Sequence, residues 1–477
     1  MPLPRVAFGI SERSVRTGRW SPARPDPRVV RPVFPITLGV SLTIVAHRTE
    51  RPGVPLFGIS LGYFMVLLDM TVLSVAEPDL ARDLNGSVAG LQWAVTGYTV
   101  MFGALLLSAG AVADRFGAHR AFRAGVAAFG IASLASAFAP DLWTLVVLRG
   151  VLGAAAAACV PASMAMISRL YPEAAARARA VSVWAAVSGA ALAAGPVAGG
   201  LLVGAFGWRA IFLVNVPLAA VTLALTAGRD VVCARGSRRI DWAPQIAACV
   251  ALGLGTDALI AAGSGDVTQV VWAACGAAVA GAAFVVLERR SDSPVVLRAP
   301  ELVPALAAGG AVNFAMSGVL FVLPLLFQRT LHLSALETGL AFLPMTLPFA
   351  FNPLVTGRIM ARSGPRPPML AGLGLLTAGG VVFGASVLAG PAYPVLAAGL
   401  LCTGFGVSFA LPALVTTVVA TAPEGAAGAA GGLLNAVRQV GATLGVAVMG
   451  AFVSGQAAYG LLLSAAVCAA AGLRLAR

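Results

Sequence analysis

From about residue 53 to the end of the chain, long apolar runs alternate with short polar turns. Most runs reach the length of about 20 residues that a helix needs to cross the hydrocarbon core of a bilayer. The pattern predicts fourteen spans, at about 55–75, 91–113, 121–139, 142–167, 179–204, 208–227, 242–263, 268–287, 302–327, 337–360, 368–389, 393–419, 427–453 and 456–473. Residues 1–52 differ. They hold nine arginines, several prolines and one apolar run, Val33 to Ala46, too short to span. This stretch reads as a basic, disordered cytoplasmic tail or as the product of an upstream start; anionic lipid binding through arginine is the alternative.

The pattern also repeats. Gly110, Arg115 and Gly117, between spans 2 and 3, recur at one constant offset as Gly357, Arg362 and Gly364, between spans 10 and 11, with Ala361 in place of Asp114. Gly153 and Pro161 of span 4 correspond to Gly404 and Pro412 of span 12. The expected fold is an all-α polytopic membrane protein. Two pseudo-symmetric six-helix bundles, residues 53–228 and 301–477, flank an inserted helix pair within 229–300. Such duplicated bundles alternate access at the interface between the halves.

Charge decides orientation. The chain is 59% hydrophobic and 11% charged, with a net charge of +13. A soluble protein of this size needs more surface charge than that. A basic balance can signal nucleic acid, but here every basic residue is arginine and the arginines are dispersed among turns. Beyond the tail, eighteen arginines lie on the side that also holds both termini; three (Arg82, Arg209 and Arg329) lie in the opposite turns. The asymmetry predicts a multi-pass plasma-membrane protein with both termini cytoplasmic and no nucleic-acid partner. One cytoplasmic turn, between spans 12 and 13, carries Glu424 and no arginine. The six cysteines are scattered without a C-x-x-C pair, and the three histidines are far apart, so neither a disulfide framework nor a metal site is expected. No P-loop is present, and no cofactor or catalytic residue is expected.

Ionisable residues inside apolar spans are costly and point to ion or proton paths. Asp69 lies deep in span 1, and Glu77 lies further on, toward the outer surface. Asp69 is a protonation candidate or a structural acid bonded to neighbouring groups; Glu77 reads as a solvated rim acid, with a cavity or gate as the other role. Arg149 lies within span 4, at a cost of about 2.5–3.5 kcal/mol on insertion scales, and should face an interior partner. Its counterpart in span 12 is Leu400. Asn435 and Arg438 of span 13 are candidates for the cavity, a gate or packing, and Asp257 of span 7 for the outer interface. In span 5, Gly189, Gly195, Pro196, Gly199 and Gly200 make a small-residue face that lets helices approach closely, with a proline that removes one backbone donor.

Several of these stretches resemble one family. The turn Gly110-Ala-Val-Ala-Asp114-Arg115-Phe-Gly117-Ala-His119-Arg120 is similar to the signature loop of the major facilitator superfamily, with Ala118 and His119 where that family usually has two further basic residues. Leu68-Asp69-Met-Thr71-Val through Ala76-Glu77-Pro78 resembles the first-helix motif of the superfamily's fourteen-span drug:proton antiporter branch, Glu77 replacing an apolar residue. Arg149 matches an arginine implicated there in proton transfer. The Gly195-Pro196-x-x-Gly199-Gly200 pattern resembles the antiporter motif typical of exporters, and Gly207-Trp208-Arg209 with Phe212, Asn215 and Pro217 matches the start of helix 6. Asn435 to Gly441 resembles another element recurrent in this branch. The resemblance implies a monomeric, proton-coupled exporter of an amphipathic drug, antibiotic or metabolite. Asp69 and Arg149 would couple protons, and Gly110, Asp114, Arg115, Gly117 and Arg120 would form a cytoplasmic latch. A proton-coupled importer and a non-transporting sensor or scaffold are the alternatives.

Overall fold

In lipid no water is available to satisfy backbone N–H and C=O groups, so an apolar run folds as a helix whose hydrogen bonds stay within the segment. The computed structural model describes residues 53–228, 232–233, 242–290, 300–422, 427–453 and 456–476. The predicted tail 1–52, most of the basic loop 229–241, Arg298, Glu424 and Arg477 lie outside the described residues.

The first half contains α1 (Gly53–Asp83), α2 (Val88–Phe116), α3 (Ala118–Ala137), α4 (Leu142–Leu170), α5 (Ala174–Phe206), α6 (Ala210–Leu213) and α7 (Asn215–Leu225). A hairpin follows, α8 (Trp242–Ser264) and α9 (Val267–Arg290). The second half has α10 (Val303–Arg329), α11 (Ala335–Ala341), α12 (Leu343–Ser363), α13 (Arg366–Ala389), α14 (Tyr393–Thr421), α15 (Ala427–Ala451) and α16 (Ala457–Ala476). Among the described residues, eleven helices are long and apolar enough to cross a membrane, or twelve when the α11–α12 pair, bent by 40°, counts as one span. Helix α3, with His119, Arg120 and Arg123 in its first turns, is not among them, and neither is the interrupted α6–α7 pair.

The length of the apolar run predicts that span 1 ends near Val75. Instead α1 continues through Glu77 and Pro78 to Asp83. Glu77 points into the bundle and so does not end the helix at a water boundary, and proline is tolerated where neighbouring helices satisfy the freed carbonyl.

Equivalent helices pack in equivalent pairs. Helix α2 packs on α4, α3 on α4, and α1 on α5 and α7; in the second half α12 packs on α14, α13 on α14, and α10 on α15 and α16. Gly153 of α4 lies so close to the Tyr98 carbonyl of α2 that a Cβ has no room, and Gly404 of α14 meets the Met345 carbonyl of α12 in the same way. The charged turns also match. Gly117 and Gly364 have φ of +91° and +77°, a region that glycine enters without steric cost. Across the halves, α2 packs on α15, α5 on α11 and α12, and α1 on α10. Helix α8 lies against α2 and α15, while α9 is mostly exposed on its outer side, with Trp272 at 78% exposure.

Local caps set where the helices begin. The Ser87 hydroxyl accepts from the Gly90 N–H at 3.1 Å and opens α2, and Ser334 with Glu337 forms a reciprocal capping box at α11. Ser87→Ala should cost about 1 kcal/mol, seen as a lower melting temperature of the purified protein, while Ser87→Asp should retain the wild-type value. An unchanged melting temperature for Ser87→Ala would mean that α2 does not depend on this cap.

Candidate functional site

The charged residues placed mid-span meet. Asp69 of α1 and Arg149 of α4 are each 1% exposed and form an ion pair through Asp69 Oδ2. A lone charge in this setting would be very unfavourable, so the pair and its further bonds must compensate both ions. Asn215 Nδ2, at the start of α7, donates to Asp69 Oδ1 at 3.0 Å and to the Ser133 hydroxyl of α3 at 3.2 Å. Arg149 Nε donates to the Ala94 carbonyl of α2 at 3.0 Å. Its guanidinium lies 4.5 Å from the Tyr98 ring centroid, a cation–π contact, and the Tyr98 hydroxyl donates to the Val66 carbonyl at 3.3 Å. Five helices of the first half thus converge on one carboxylate–guanidinium pair.

Asn215, Ser133 and Tyr98 were not expected in this role. Asn215 had a signal, since a polar side chain in an apolar span demands a partner, but sequence alone does not say which. In the second half the position matching Arg149 is apolar. There Leu400 is fully buried, and Asn352 of α12 donates to the Ser408 hydroxyl of α14 at 2.8 Å.

A cavity of about 30 Å³ opens beside the pair, between α1, α2 and α4 of the first half and α10 and α15 of the second. Its walls include Ser74, Glu77, Tyr98, Thr99, Arg149, Ser317 and Phe321. That volume suits a water or two rather than a drug-sized molecule, whose pocket runs to about 300 Å³ or more. Glu77 is therefore not a solvated rim acid. It is 2% exposed, faces the cavity, and its Oε2 has no hydrogen-bond partner. The reason is rotational: Glu77 lies on the face of α1 turned toward the second half.

The small-residue face of α5 separates into two parts. Around Gly195 and Gly199, α5 lies directly on Thr71 and Val72 of α1, and Gly200 lies on α11, where a Cβ would fall 2.6 Å from the Ala335 carbonyl. Gly339 of α11 approaches α5 in return, its Cβ position 2.5 Å from the Pro196 carbonyl. Gly189, by contrast, has nothing within 4 Å of its Cβ position. The halves are also stitched at this level by Gln92, which donates to the Ala447 carbonyl at 2.8 Å, by the Thr99–Thr443 hydroxyl pair at 2.7 Å, and by Gln328, which donates to the Val75 carbonyl at 3.0 Å. Further along the same end, Trp208 Nε1 donates to Asp83 at 2.8 Å, tying α6 to the end of α1.

The opposite end carries the charged turn. Asp114, Arg115 and Arg120 are exposed, and among the described residues Asp114 has no ion-pair partner. Gly110 has open space at its Cβ position. His119 is buried, and its Nδ1 accepts from the Cys233 backbone N–H at 3.0 Å. Burial, then the nearby Arg123, lowers the His119 pKa below its ordinary value. Arg438 of α15 donates to Asn313 of α10 at 3.1 Å and to Asn435 at 2.9 Å, and lies within electrostatic reach of Tyr63, whose ring stacks on Trp184 at 4.5 Å. Asp257 accepts from Gln269 within the α8–α9 hairpin, at 3.1 and 3.2 Å, away from the cavity. Among the described residues no group of three or more metal-ligating side chains comes together.

Residues 59–446 match the profile of the Major Facilitator Superfamily. The chain is 34% identical over 407 residues to the multidrug resistance protein Stp of Mycobacterium tuberculosis, covering 83% of this chain and 74% of that one. It is 31% identical over 421 residues to the tetracenomycin C resistance and export protein of Streptomyces glaucescens, covering 86% and 78%. A crystal structure of a POT family transporter in complex with 5-aminolevulinic acid shares the fold, with a TM-score of 0.69 at 14% identity over 88% of this chain and 94% of that one.

Proposed function

The chain belongs to the Major Facilitator Superfamily and is therefore a secondary active transporter of small molecules, not an enzyme; from that premise we propose that it exports amphipathic drugs, antibiotics or metabolites in exchange for protons. The observation that carries this reading is the double position of Arg149, which pairs with Asp69 on one side and lines the cavity between the halves on the other. A change of charge in the cavity is felt by the guanidinium, and through it by the carboxylate that takes up and releases the proton. The resistance and export roles in the names of the two relatives support the direction.

In this reading fourteen spans cross the plasma membrane, with α3 and the α6–α7 pair completing the first bundle and α11–α12 forming one bent span. Residues 53–228 and 301–477 are the two moving bundles, 229–300 holds the inserted pair, and the protein works as a monomer. The end bearing Gly117 is cytoplasmic, as are both termini. The opposite end is then the closed side of the present conformation, sealed by the α5–α11 contact and the Gln92 and Gln328 bonds.

The decisive test compares a deletion strain and an overexpressing strain across an antibiotic panel, followed by uptake in inside-out vesicles. Export predicts resistance on overexpression and proton-driven accumulation in such vesicles. Accumulation in the reverse direction would indicate an importer, and no substrate-dependent proton flux would indicate a sensor or scaffold. Topology reporters fused after Arg298 and at Arg477 should both read as cytoplasmic. A periplasmic signal at Arg477 would mean that α16, or α15, does not cross.

Asp114 is assigned as a latch that pairs with a cation when the cavity opens outward. Asp114→Asn should therefore slow turnover more than it weakens substrate binding, because the equilibrium between states shifts while the cavity is unchanged. Equal losses in binding and turnover at constant protein level would remove the latch assignment.

A further inference from the structure

The other cation within the spans has no anion. Arg438 lies near the middle of α15, and among the described residues no carboxylate pairs with it. What holds it is neutral. Its Nε donates to Asn313 Oδ1 of α10 at 3.1 Å, and its Nη1 donates to Asn435 Oδ1 at 2.9 Å. Asparagine oxygens use two of the five guanidinium N–H donors and cancel none of the charge. Neither interior acid of α1 compensates it. Tyr63 is the α1 residue within electrostatic reach of Arg438. Asp69 lies about 9 Å further along that helix and Glu77 about 21 Å, at the helical rise per residue, and Asp69 is already paired with Arg149. A cation in an apolar interior without an anion is unfavourable and calls for one.

The surroundings indicate which anion fits. Helix α15 is pressed onto α10, where a Cβ at Gly441 would fall 2.1 Å from the Gly310 carbonyl, so Arg438 is fixed in the second half. Tyr63 and Trp184 belong to the first half, on α1 and α5, with rings 4.5 Å apart and 7° from parallel. Trp184 Nε1 is a further donor without a hydrogen-bond partner. Arg438, Tyr63 and Trp184 are all partly exposed. Toward the end that bears Gly117, the helices at the boundary have room beside them: the Cβ positions of Gly110, Gly189, Gly357 and Gly432 meet nothing within 4 Å. The cluster thus offers spare donors, an unbalanced positive charge and an aromatic surface. The planar guanidinium fork matches a carboxylate through two parallel hydrogen bonds.

Resting on the transporter reading above, we infer that Arg438 is an anion-binding residue of the substrate site, and that the space between the halves takes aromatic carboxylic acids and related organic anions. The acid group meets the guanidinium, and the aromatic body lies toward the Tyr63–Trp184 stack. The two halves supply different parts. The second brings the charge and the first the rings, so the ligand is held fully only when both face it.

The test measures binding to the purified full-length protein in phosphatidylcholine nanodiscs by equilibrium dialysis, with empty nanodiscs subtracted. Naphthoate serves as the anionic probe and naphthamide as an uncharged probe with the same rings. The wild type should prefer the anion. Arg438→Gln should weaken naphthoate binding about tenfold or more and leave naphthamide within about twofold, and Arg438→Lys should recover part of the loss. Asn435→Asp keeps the arginine and sets a carboxylate beside it, and should weaken naphthoate selectively as well; this variant carries the test if Arg438→Gln does not fold. No preference in the wild type, an unchanged naphthoate affinity in either Arg438→Gln or Asn435→Asp, or an equal loss for both probes would each overturn the inference; the last would make Arg438 a packing residue. The two readings fail separately. An Arg438-dependent anion preference without efflux would remove the export reading and leave this one standing, while proton-driven efflux without charge preference would do the reverse.

Discussion

Asp69→Asn is expected to insert into the membrane and abolish substrate-driven proton flux in proteoliposomes. Asparagine keeps the shape of the carboxyl group and the bond to Asn215 can be rearranged, but it carries no exchangeable charge. The same substitution leaves the Arg149 guanidinium buried without its anion, a change that typically costs about 3–5 kcal/mol. A lower melting temperature should therefore accompany the loss of flux. The double variant Asp69→Asn with Arg149→Met removes the orphaned charge and should recover much of the stability without recovering the flux. Arg149→Ala alone should instead change the pH dependence of transport, because it removes the cation and keeps the carboxylate. If Asp69→Asn retained full substrate-induced flux, Asp69 would not carry the proton, and Glu77 would be the next candidate.

Gly200→Val is expected to stop transport for a different reason. The first added carbon falls 2.6 Å from the Ala335 carbonyl oxygen and 3.1 Å from the Leu336 Cα. Both are backbone atoms of α11, so no rotamer change relieves the clash and α5 must move away. Overpacking of this kind costs about 1–3 kcal/mol. In the proposed transport cycle the strain falls on the closed end, so it shifts the equilibrium between conformations by roughly 5- to 150-fold, as a coupling energy of that size does. The expected result is a comparable loss of transport at normal protein level, with cysteine accessibility increased at the Trp208 end. Gly189→Ala, seven residues short of Pro196 on the same helix, has open space and should be nearly silent. If Gly200→Val transported normally, the α5–α11 contact would not open and close in the cycle.

The two substitutions also mark how far sequence reading reaches here. The ion pair was half legible. Asp69 and Arg149 each stood out because a charge in an apolar run has few tolerable environments, and their meeting required only that each find the other. Asn215 was visible as part of a motif and invisible as the second ligand of Asp69, because that bond joins residues far apart in the chain. Glu77 has two sequence readings, a solvated rim acid and a cavity or gate residue, and its burial in the cavity wall excludes the first. Its position along α1 is legible, but position along a helix does not say which way a side chain faces. The stripe that reveals facing in a soluble helix is absent, since lipid and protein interior are both apolar. The α5 glycines illustrate the same limit: Gly189 and Gly200 look alike in the sequence, and only the approach of α11 separates them.

What the chain by itself determined is therefore local. Run length set which segments are helices, because each must satisfy its own backbone bonds in lipid. Glycine at 117 and 364 set the two matching turns, and the arginine bias set the expected orientation. Tertiary structure decided the rotation of each helix about its axis and the partner it meets. Those choices depend on close packing between surfaces of similar polarity, where small residues and single hydrogen bonds discriminate and hydrophobicity does not. Asp69 thereby became a paired ion within one bundle, and Glu77 the unpaired carboxylate between two.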